Sequence, residues 1–286
     1  MKWYRDRFVE GSGIRMRARL AGEGLPGRPV LVLHGFTGCV ESMEGVIRSL
    51  AVDRPVLALD LVGHGLTDSP DDGGRYSMEA CVDQVVAALE CLGVSEAHVL
   101  GYSMGGRVAL SLAVAHPATV ASLVLVGASP GLMADEDRAA RVGVDHALAR
   151  RIETEGLERF VDDWMSLPLF ASQASLGDAY LAACRAQRLR GNVVGLAGSL
   201  RGMGTGSMRP LTGRLHQISR PVCLVAGSLD AKFVDLAQQM RLELADGRCV
   251  VVEEVGHAVH LEDPVRFARI ARTFLFEVDE RKDVRS

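Results

Sequence analysis

The sequence lacks the features that would place the protein in a membrane, outside the cell or on nucleic acid. No apolar run reaches the roughly 18 residues that a membrane-spanning helix needs, and the start of the chain lacks the apolar core of a signal peptide. The net charge is −4, with 36 acidic against 32 basic residues, so there is no basic footprint for nucleic acid. These absences predict a cytoplasmic protein that has no membrane span and no nucleic-acid partner.

Cysteine pairs and metal-ligand clusters are also missing. The six cysteines include no Cys-x-x-Cys pair, and Cys91, Cys223 and Cys249 fall in segments that we predict to be helix or strand. We therefore expect these three to be reduced thiols of the core, as in a cytoplasmic protein. Histidines, cysteines and carboxylates do not cluster at ligand spacing, so we predict no metal and no other cofactor.

Short apolar runs recur along the chain and are typical of strands buried in a parallel sheet. The chain has 286 residues, 48% of them hydrophobic and 24% charged, which is enough for one large globular domain. Between the second and third runs, Ser77 can cap a helix that Gly93 ends. Repeated strand, helix and strand predict an α/β fold with a mostly parallel, doubly wound sheet. The six predicted strands cover residues 29–33, 56–59, 97–100, 123–126, 222–226 and 249–252.

A helical segment interrupts this alternation after Ser129-Pro130-Gly131. We predict a core formed by residues 1–129 and 216–286 and a helical lid formed by residues 130–215. An insertion beyond the carboxyl ends of the strands would cover the edge where open α/β sheets bind ligands. The predicted lid helices cover residues 138–152, 157–165, 178–189 and 192–201.

The segment Gly101-Tyr102-Ser103-Met104-Gly105 is the most informative motif of the sequence. It lies between an apolar strand and a predicted helix over residues 107–115. A Gly-x-Ser-x-Gly motif at such a turn is a nucleophile elbow, in which small residues let the backbone turn so sharply that Ser103 projects above the sheet. The same letters also occur in flexible loops, but the flanking strand and helix favour the elbow.

Asp230 and His257 each follow a predicted strand, at the sheet edge where Ser103 also lies. The chain order serine, acid, histidine is one of the known orders of a catalytic triad. In that arrangement His257 accepts the Ser103 proton, while Asp230 orients the imidazole and stabilises its cation. The alternative is that Asp230 is a turn residue and His257 a surface histidine.

Two backbone N–H groups are candidates for an oxyanion hole. Phe36 follows the first apolar strand and Met104 follows the elbow serine, which are the positions that supply such donors. Of the other histidines near these turns, we expect His34 and His64 to shape turns. His260 is expected to pack on the surface or against the lid.

These residues resemble the α/β-hydrolase superfamily across nearly the whole chain. More specifically, they resemble the 2-succinyl-6-hydroxy-2,4-cyclohexadiene-1-carboxylate synthases, pyruvate-eliminating lyases of menaquinone biosynthesis. The elbow itself is generic, whereas Arg107, Gly204-Thr205-Gly206 and Asp230-Ala231-Lys232-Phe233 are much more specific to that family. The match also rests on residues 33–38, 129–132, 200–203 and 256–260, Arg138 with Arg141, Trp164 with Pro168 and Phe170, and Arg188.

The resemblance implies a small substrate with three carboxylates, and guanidinium groups bind carboxylates with two parallel hydrogen bonds. Arg107, one turn after the elbow serine, is expected to reach such a ligand. Arg141 and Arg188 are expected to approach it from the lid. Tyr102 and Trp164 are further substrate-binding candidates. The alternative is that the lid arginines form a solvated helix face and that Trp164 only packs inside the lid.

By the same resemblance, Ser103 acts as a base rather than as an acylating nucleophile. It would remove a ring proton of 2-succinyl-5-enolpyruvyl-6-hydroxy-3-cyclohexene-1-carboxylate, and pyruvate would leave without water or a covalent intermediate. One alternative is a serine hydrolase that cleaves an ester or the carbon–carbon bond of a ring-fission dienoate. The other is a binding module that senses a ligand. The complete triad argues against the binding module, and the arginines favour a polyanionic substrate.

Overall fold

The computed structural model describes residues 3–283, which form one eight-stranded sheet flanked by helices. Its strands are β1 (Tyr4–Gly11), β2 (Ile14–Ala21), β3 (Val30–Leu33), β4 (Val56–Leu59), β5 (Ala97–Tyr102), β6 (Val120–Val126), β7 (Val222–Gly227) and β8 (Gly247–Val252). They lie in the order β1-β2-β4-β3-β5-β6-β7-β8. β1 and β2 pair antiparallel with their neighbours, and β3 to β8 are parallel to one another. The predicted α/β fold with a mostly parallel sheet is confirmed.

All six predicted strands are present, but the hairpin β1–β2 was not predicted. Its sequence alternates arginines with apolar residues, and Arg17 and Arg19 are only 3% and 2% exposed. Both guanidinium groups are paired with Asp6 of β1 and with Glu41, at 2.6 to 3.0 Å. These partners come from other segments of the chain, so the apolar pattern of β2 alone does not reveal a buried strand.

The helices of residues 3–283 include every one that was predicted. The segment between β6 and β7 holds four, close to the predicted lid helices. None of the described helices is long and apolar enough to cross a membrane. The helices are α1 (Glu44–Leu50), α2 (Met78–Cys91), α3 (Met104–Ala115), α4 (Asp135–Glu155), α5 (Leu157–Met165), α6 (Asp178–Arg188), α7 (Val193–Met203), α8 (Ala231–Glu243), α9 (Val259–Glu262) and α10 (Pro264–Asp283).

Helix α2 begins and ends as its sequence predicts. Ser77 Oγ accepts a hydrogen bond from the Ala80 backbone N–H at 3.1 Å, which satisfies one of the free donors of the first turn. Gly93 adopts a φ of +73°, the left-handed conformation that commonly ends a helix.

The apolar core has two parts on the faces of the sheet and a third among the inserted helices. Strands β3, β4, β6 and β7 are completely buried, as expected of strands covered on both faces. The third cluster includes Ile152 of α4, Phe160 of α5 and Leu196 of α7. The Phe36 side chain packs against both this cluster and the core below it. The loop after β3 is therefore in direct contact with the inserted helices.

The prediction for Cys91 is wrong, and for His260 the structure excludes a surface position. Cys91 is exposed, because it lies at the end of α2, where its thiol donates to the Glu10 carbonyl at 3.0 Å. His260 is 3% exposed and lies 4.4 Å from the Tyr102 ring, since the short helix α9 turns it into the core. The prediction is confirmed for Cys223, which is buried, while Cys249 is half-buried.

Candidate active site

Ser103 occupies a strained turn between β5 and α3. Its φ and ψ are 50° and −106°, which is unusual for a residue that carries a side chain. The turn also brings backbone segments very close together. A Cβ at Gly101 would lie 2.6 Å from the Gly105 carbonyl carbon, and one at Gly105 would lie 2.6 Å from the His34 carbonyl oxygen. Glycine is therefore required on both sides of the serine, as in a nucleophile elbow.

The structure brings Ser103, Asp230 and His257 together at the carboxyl edge of the sheet. His257 Nδ1 lies 2.7 Å from Asp230 Oδ2, and His257 Nε2 lies 3.1 Å from Ser103 Oγ. The imidazole is 2% exposed and stands against Gly127, where a Cβ would lie 2.6 Å from its Cε1 atom. With Nδ1–H donating to the carboxylate, Nε2 is free to accept the serine proton.

The loop after β3 and the first residue of α3 both face the same cavity. Phe36 and Met104 line it together with Ser103. Within the described residues, no backbone carbonyl accepts a hydrogen bond from either N–H group. Because Met104 begins α3, its N–H also points along the positive end of the helix dipole. The two donors can therefore stabilise a developing oxyanion.

His34 and His64 support the turns around this loop. His34 Nε2 accepts the Leu61 N–H at 3.0 Å, so its Nδ1 carries the hydrogen and donates to the Gly35 carbonyl at 2.8 Å. Burial lowers the pKa of His34 to about 4, which keeps the ring neutral in this role. His64 is buried as well, with Nδ1 3.0 Å from the Val62 carbonyl. Neither ring contacts Ser103 or the reacting edge of His257.

The cavity above the serine has a volume of about 320 Å³. Its wall includes four of the five predicted substrate-binding residues, namely Tyr102, Arg107, Arg141 and Trp164. The lining also includes five polar residues that were not predicted as site residues: Ser129, Asp145, Ser199, Thr205 and Lys232. Four of them carried a signal in the sequence, since Ser129, Thr205 and Lys232 lie in segments that resemble the family and Asp145 follows Arg141 by one helical turn.

Arg107 is a partly buried cation that forms no ion pair with a carboxylate among residues 3–283. Its Nη1 donates to the Met203 carbonyl at the end of α7 and lies 3.9 Å from Met208 Sδ. Burial, together with the neighbouring charge of Arg141, lowers the pKa of Arg107 to about 10. The guanidinium remains protonated at neutral pH, so the cavity contains a desolvated positive charge that an anionic ligand would neutralise.

Arg188 does not line the cavity. Its Nε donates to Thr37 Oγ1 at 3.2 Å and its Nη1 to the Cys184 carbonyl at 3.2 Å, beside the loop that carries Phe36. The structure thus brings Arg107 and Arg141 to the cavity wall but leaves Arg188 outside it.

Trp164 packs inside the inserted helices and also lines the cavity. Its ring stacks on Phe160 at 5.8 Å and contacts Phe36 edge-on at 5.2 Å, so it packs within the inserted helices. Its indole N–H is buried and has no acceptor among the described residues. An unsatisfied buried donor costs about 1–3 kcal/mol, which a ligand oxygen could recover.

Cys39, Glu41 and Asp60 form the one group within the described residues whose ligand atoms are close enough for a metal. Both carboxylates are already bound by Arg17, at 2.6 Å for Glu41 and 3.4 Å for Asp60. Burial, together with the hydrogen bond to Glu41, raises the pKa of the Cys39 thiol to about 12. A neutral thiol and two ion-paired carboxylates do not fit a metal site, nor is this thiol a nucleophile.

Comparison with known proteins agrees with this geometry. A family model of the α/β hydrolase fold matches residues 28–264. A putative 2-succinyl-6-hydroxy-2,4-cyclohexadiene-1-carboxylate synthase of Bacillus subtilis is 39% identical over 87% of this chain and 90% of its own length. The synthase of that name from Serratia proteamaculans is 30% identical over 91% of this chain and 98% of its own.

Among solved structures, MenH from S. aureus superposes with a TM-score of 0.86 at 31% identity, covering 98% of this chain and 100% of that one. The agreement therefore extends over the core, the inserted helices and the edge where the triad lies. The chain belongs to the α/β-hydrolase family and, within it, to the family of the 2-succinyl-6-hydroxy-2,4-cyclohexadiene-1-carboxylate synthases.

Proposed function

We propose that the protein eliminates pyruvate from 2-succinyl-5-enolpyruvyl-6-hydroxy-3-cyclohexene-1-carboxylate in menaquinone biosynthesis. The product would be 2-succinyl-6-hydroxy-2,4-cyclohexadiene-1-carboxylate, which the names of its relatives specify. The observation that carries the proposal is one cavity in which a hydrogen-bonded triad faces Arg107 and Arg141. An ordinary esterase needs the triad, but a substrate with three carboxylates also needs the cations.

The first step is removal of the ring proton alpha to the succinyl ketone. Ser103 Oγ takes this proton while its own hydroxyl proton passes to His257 Nε2, 3.1 Å away. Asp230, 2.7 Å from Nδ1, stabilises the imidazolium that results. The ketone becomes an enolate, whose oxygen accepts hydrogen bonds from the Phe36 and Met104 N–H groups. Loss of one such donor commonly costs about 10²- to 10³-fold in rate.

The second step expels the enolpyruvyl group. Electrons return from the enolate through the ring double bond and break the bond between the ring carbon and the enolpyruvyl oxygen. His257 then returns its proton, and the released enol becomes pyruvate. The carbonyl is restored, the ring diene is formed and the triad returns to its starting protonation state, so the balance needs neither water nor a cofactor.

Arg107 and Arg141 would orient the substrate through its carboxylates. Arg107 comes from α3 below the cavity and Arg141 from α4 above it, so the two cations hold the ligand from opposite elements. Lys232 adds a third positive charge to the wall. Arg188 would take part only after leaving Thr37, and we propose that residues 130–215 act as a lid whose movement permits this.

The proposed setting is the cytoplasm. All six cysteines are unpaired thiols, which favours a reducing compartment. The chemistry requires a small polycarboxylate substrate and no nucleic-acid partner. The net charge of −4 agrees with that expectation.

The test is release of pyruvate from the enolpyruvyl cyclohexene substrate, followed by reduction of pyruvate with lactate dehydrogenase and NADH. Hydrolysis of p-nitrophenyl acetate is measured in parallel. We expect pyruvate release that the Ser103→Ala variant loses. Ester hydrolysis without pyruvate release would instead indicate a serine hydrolase, and the absence of both activities would indicate a binding module.

A further inference from the structure

Asp145 is a buried carboxylate in the cavity wall, next to the arginines that we assign to the substrate. Its side chain has no exposed surface, and its Oδ1 accepts a hydrogen bond from Arg141 Nε at 2.9 Å. Oδ2 is buried as well, and no donor within residues 3–283 bonds to it. A charged carboxylate in this position is stabilised by Arg141 and by the nearby charge of Arg107.

The surroundings of Oδ2 disfavour a negative charge. A Cβ at Gly204 would collide with Asp145 Oδ2 and would lie 2.5 Å from the Leu200 carbonyl oxygen. Oδ2 therefore lies beside the C-terminal end of α7, where the last carbonyls carry partial negative charge. Burial raises the pKa of Asp145, although Arg141 and Arg107 oppose that effect. The balance between anion and neutral acid thus depends on two arginines that a ligand would occupy.

Other charges around α4 contribute less. His146, on the same helix, also lowers the pKa of Asp145. The charged groups of α5 and α7, the inserted helices that pack against α4, are ion-paired with residues of α4 or α6. These pairs are Arg201 with Glu153, Asp163 with Arg151, Arg159 with Glu155, and Glu158 and Asp162 with Arg185.

We propose that a carboxylate ligand at Arg107 and Arg141 binds together with one proton, which Asp145 takes from solvent. The idea rests on the proposed function, because it assumes that these arginines bind carboxylates. A ligand carboxylate offsets the positive charge that holds Asp145 as an anion, and the proton adds to Oδ2. The charge of the cavity is then the same with and without that carboxylate. Asp145 is a positioning residue here, since it acts through Arg141 and not by touching the ligand.

Proton uptake makes binding depend on pH. Between the pKa values of Asp145 in the free protein and in the complex, affinity falls by about tenfold for each unit of rising pH. A permanently neutral residue at this position removes that dependence. Asp145→Asn should therefore bind the ligand about equally well at all pH values, and roughly tenfold more tightly than the wild type at the alkaline end.

The experiment is calorimetric titration with 2-succinylbenzoate, a stable dicarboxylate, from about pH 5 to about pH 8. Titrations in two buffers of different ionisation enthalpy give the number of protons taken up. We expect about one proton for the wild type and none for Asp145→Asn. Glu155→Gln is the matched control, since Glu155 also follows an arginine of α4 by one turn but is paired at the surface. It should behave as the wild type does.

A second measurement uses the wild type and does not require Asp145→Asn to fold. Infrared difference spectra of the wild type should gain the C=O band of a protonated carboxylic acid when the probe binds. His257→Asn should keep both this band and the proton uptake, which separates Asp145 from the catalytic histidine. Probe binding without proton uptake, uptake that survives in Asp145→Asn, or no binding that depends on Arg107 would each overturn the proposal.

The outcomes also separate the two proposals. Proton uptake at Asp145 in a protein that releases no pyruvate would contradict the proposed lyase activity and support the proposed link between ligand binding and proton uptake. Pyruvate release with probe binding but no proton uptake would contradict only the link between ligand binding and proton uptake, and the proposed lyase activity would stand.

Discussion

Gly127 provides a sensitive test of the triad geometry. It adopts a φ of +55° directly after β6, and a Cβ there would lie 2.6 Å from His257 Cε1 and 2.9 Å from Nδ1. Ordinary carbon contacts are about 3.5–4.0 Å, so Gly127→Ala must displace the imidazole by roughly 1 Å. The 3.1 Å contact between His257 and Ser103 would then exceed hydrogen-bonding distance. Because a displacement of about 1 Å can cost 10²-fold, we expect kcat for pyruvate release to fall by that factor or more.

The same substitution also strains the backbone, and this effect must be separated from the first. Alanine at positive φ costs about 1–2 kcal/mol of stability wherever it is placed. Gly213 has a φ of +77° and nothing within 4 Å of its Cβ position, so Gly213→Ala supplies the strain without the collision. Thermal unfolding should show similar losses for both variants, while only Gly127→Ala loses kcat. Equal rates for the two variants would refute the inferred role of Gly127.

Three further predictions concern the base, the cations and stability. Ser103→Ala should abolish most pyruvate release and leave the affinity for substrate within a few-fold, because the hydroxyl acts in the transition state; near-normal turnover would show that another group is the base. Arg107→Ala and Arg141→Ala should each lower kcat/KM by roughly 10²-fold, and the lysine variants should recover only part of this. Hydrolysis of a neutral p-nitrophenyl ester serves as the control, and equal losses there would mean that the arginines support the fold. Burial favours a higher pKa for Asp279, but its hydrogen bond to His98 helps to lower the pKa below its usual value. The stability from that ionised carboxylate is therefore present above about pH 4 and is lost as the pH falls through the lowered pKa. Asp279→Asn should lower the free energy of unfolding by about 1–3 kcal/mol at neutral pH and by much less in acid, as denaturant titrations at both pH values would reveal.

Local sequence patterns were sufficient for the six parallel strands of the sheet and for the triad. The central strands are covered on both faces, so nearly every side chain in them is apolar and the strands are visible in composition alone. Ser103, Asp230 and His257 each follow such a strand. Parallel strands end at one edge, and chain order therefore predicted that the three side chains would meet there.

The antiparallel hairpin could not be predicted in this way. Arg17 and Arg19 are polar by composition and become core residues only because Asp6 and Glu41 neutralise them. Cys91 is the reverse case, an apolar residue that is exposed. It lies on the solvent side of the last turn of α2, although most of that helix faces the core. In both cases the neighbours are distant in the chain, and hydropathy within a short window does not include them.

The cavity illustrates the same division between local and tertiary information. The sequence by itself determined which residues could carry the chemistry, because turns, strands and their order along the chain depend on local preferences. Only the tertiary structure decided that Arg107 is partly buried without a carboxylate partner and that Arg188 is bound to Thr37 outside the cavity. It also decided that Asp145, one acid among several on α4, has an unpaired oxygen against the end of α7. The charge state of a buried group depends on what surrounds it in space, and those surroundings are assembled from separate parts of the chain.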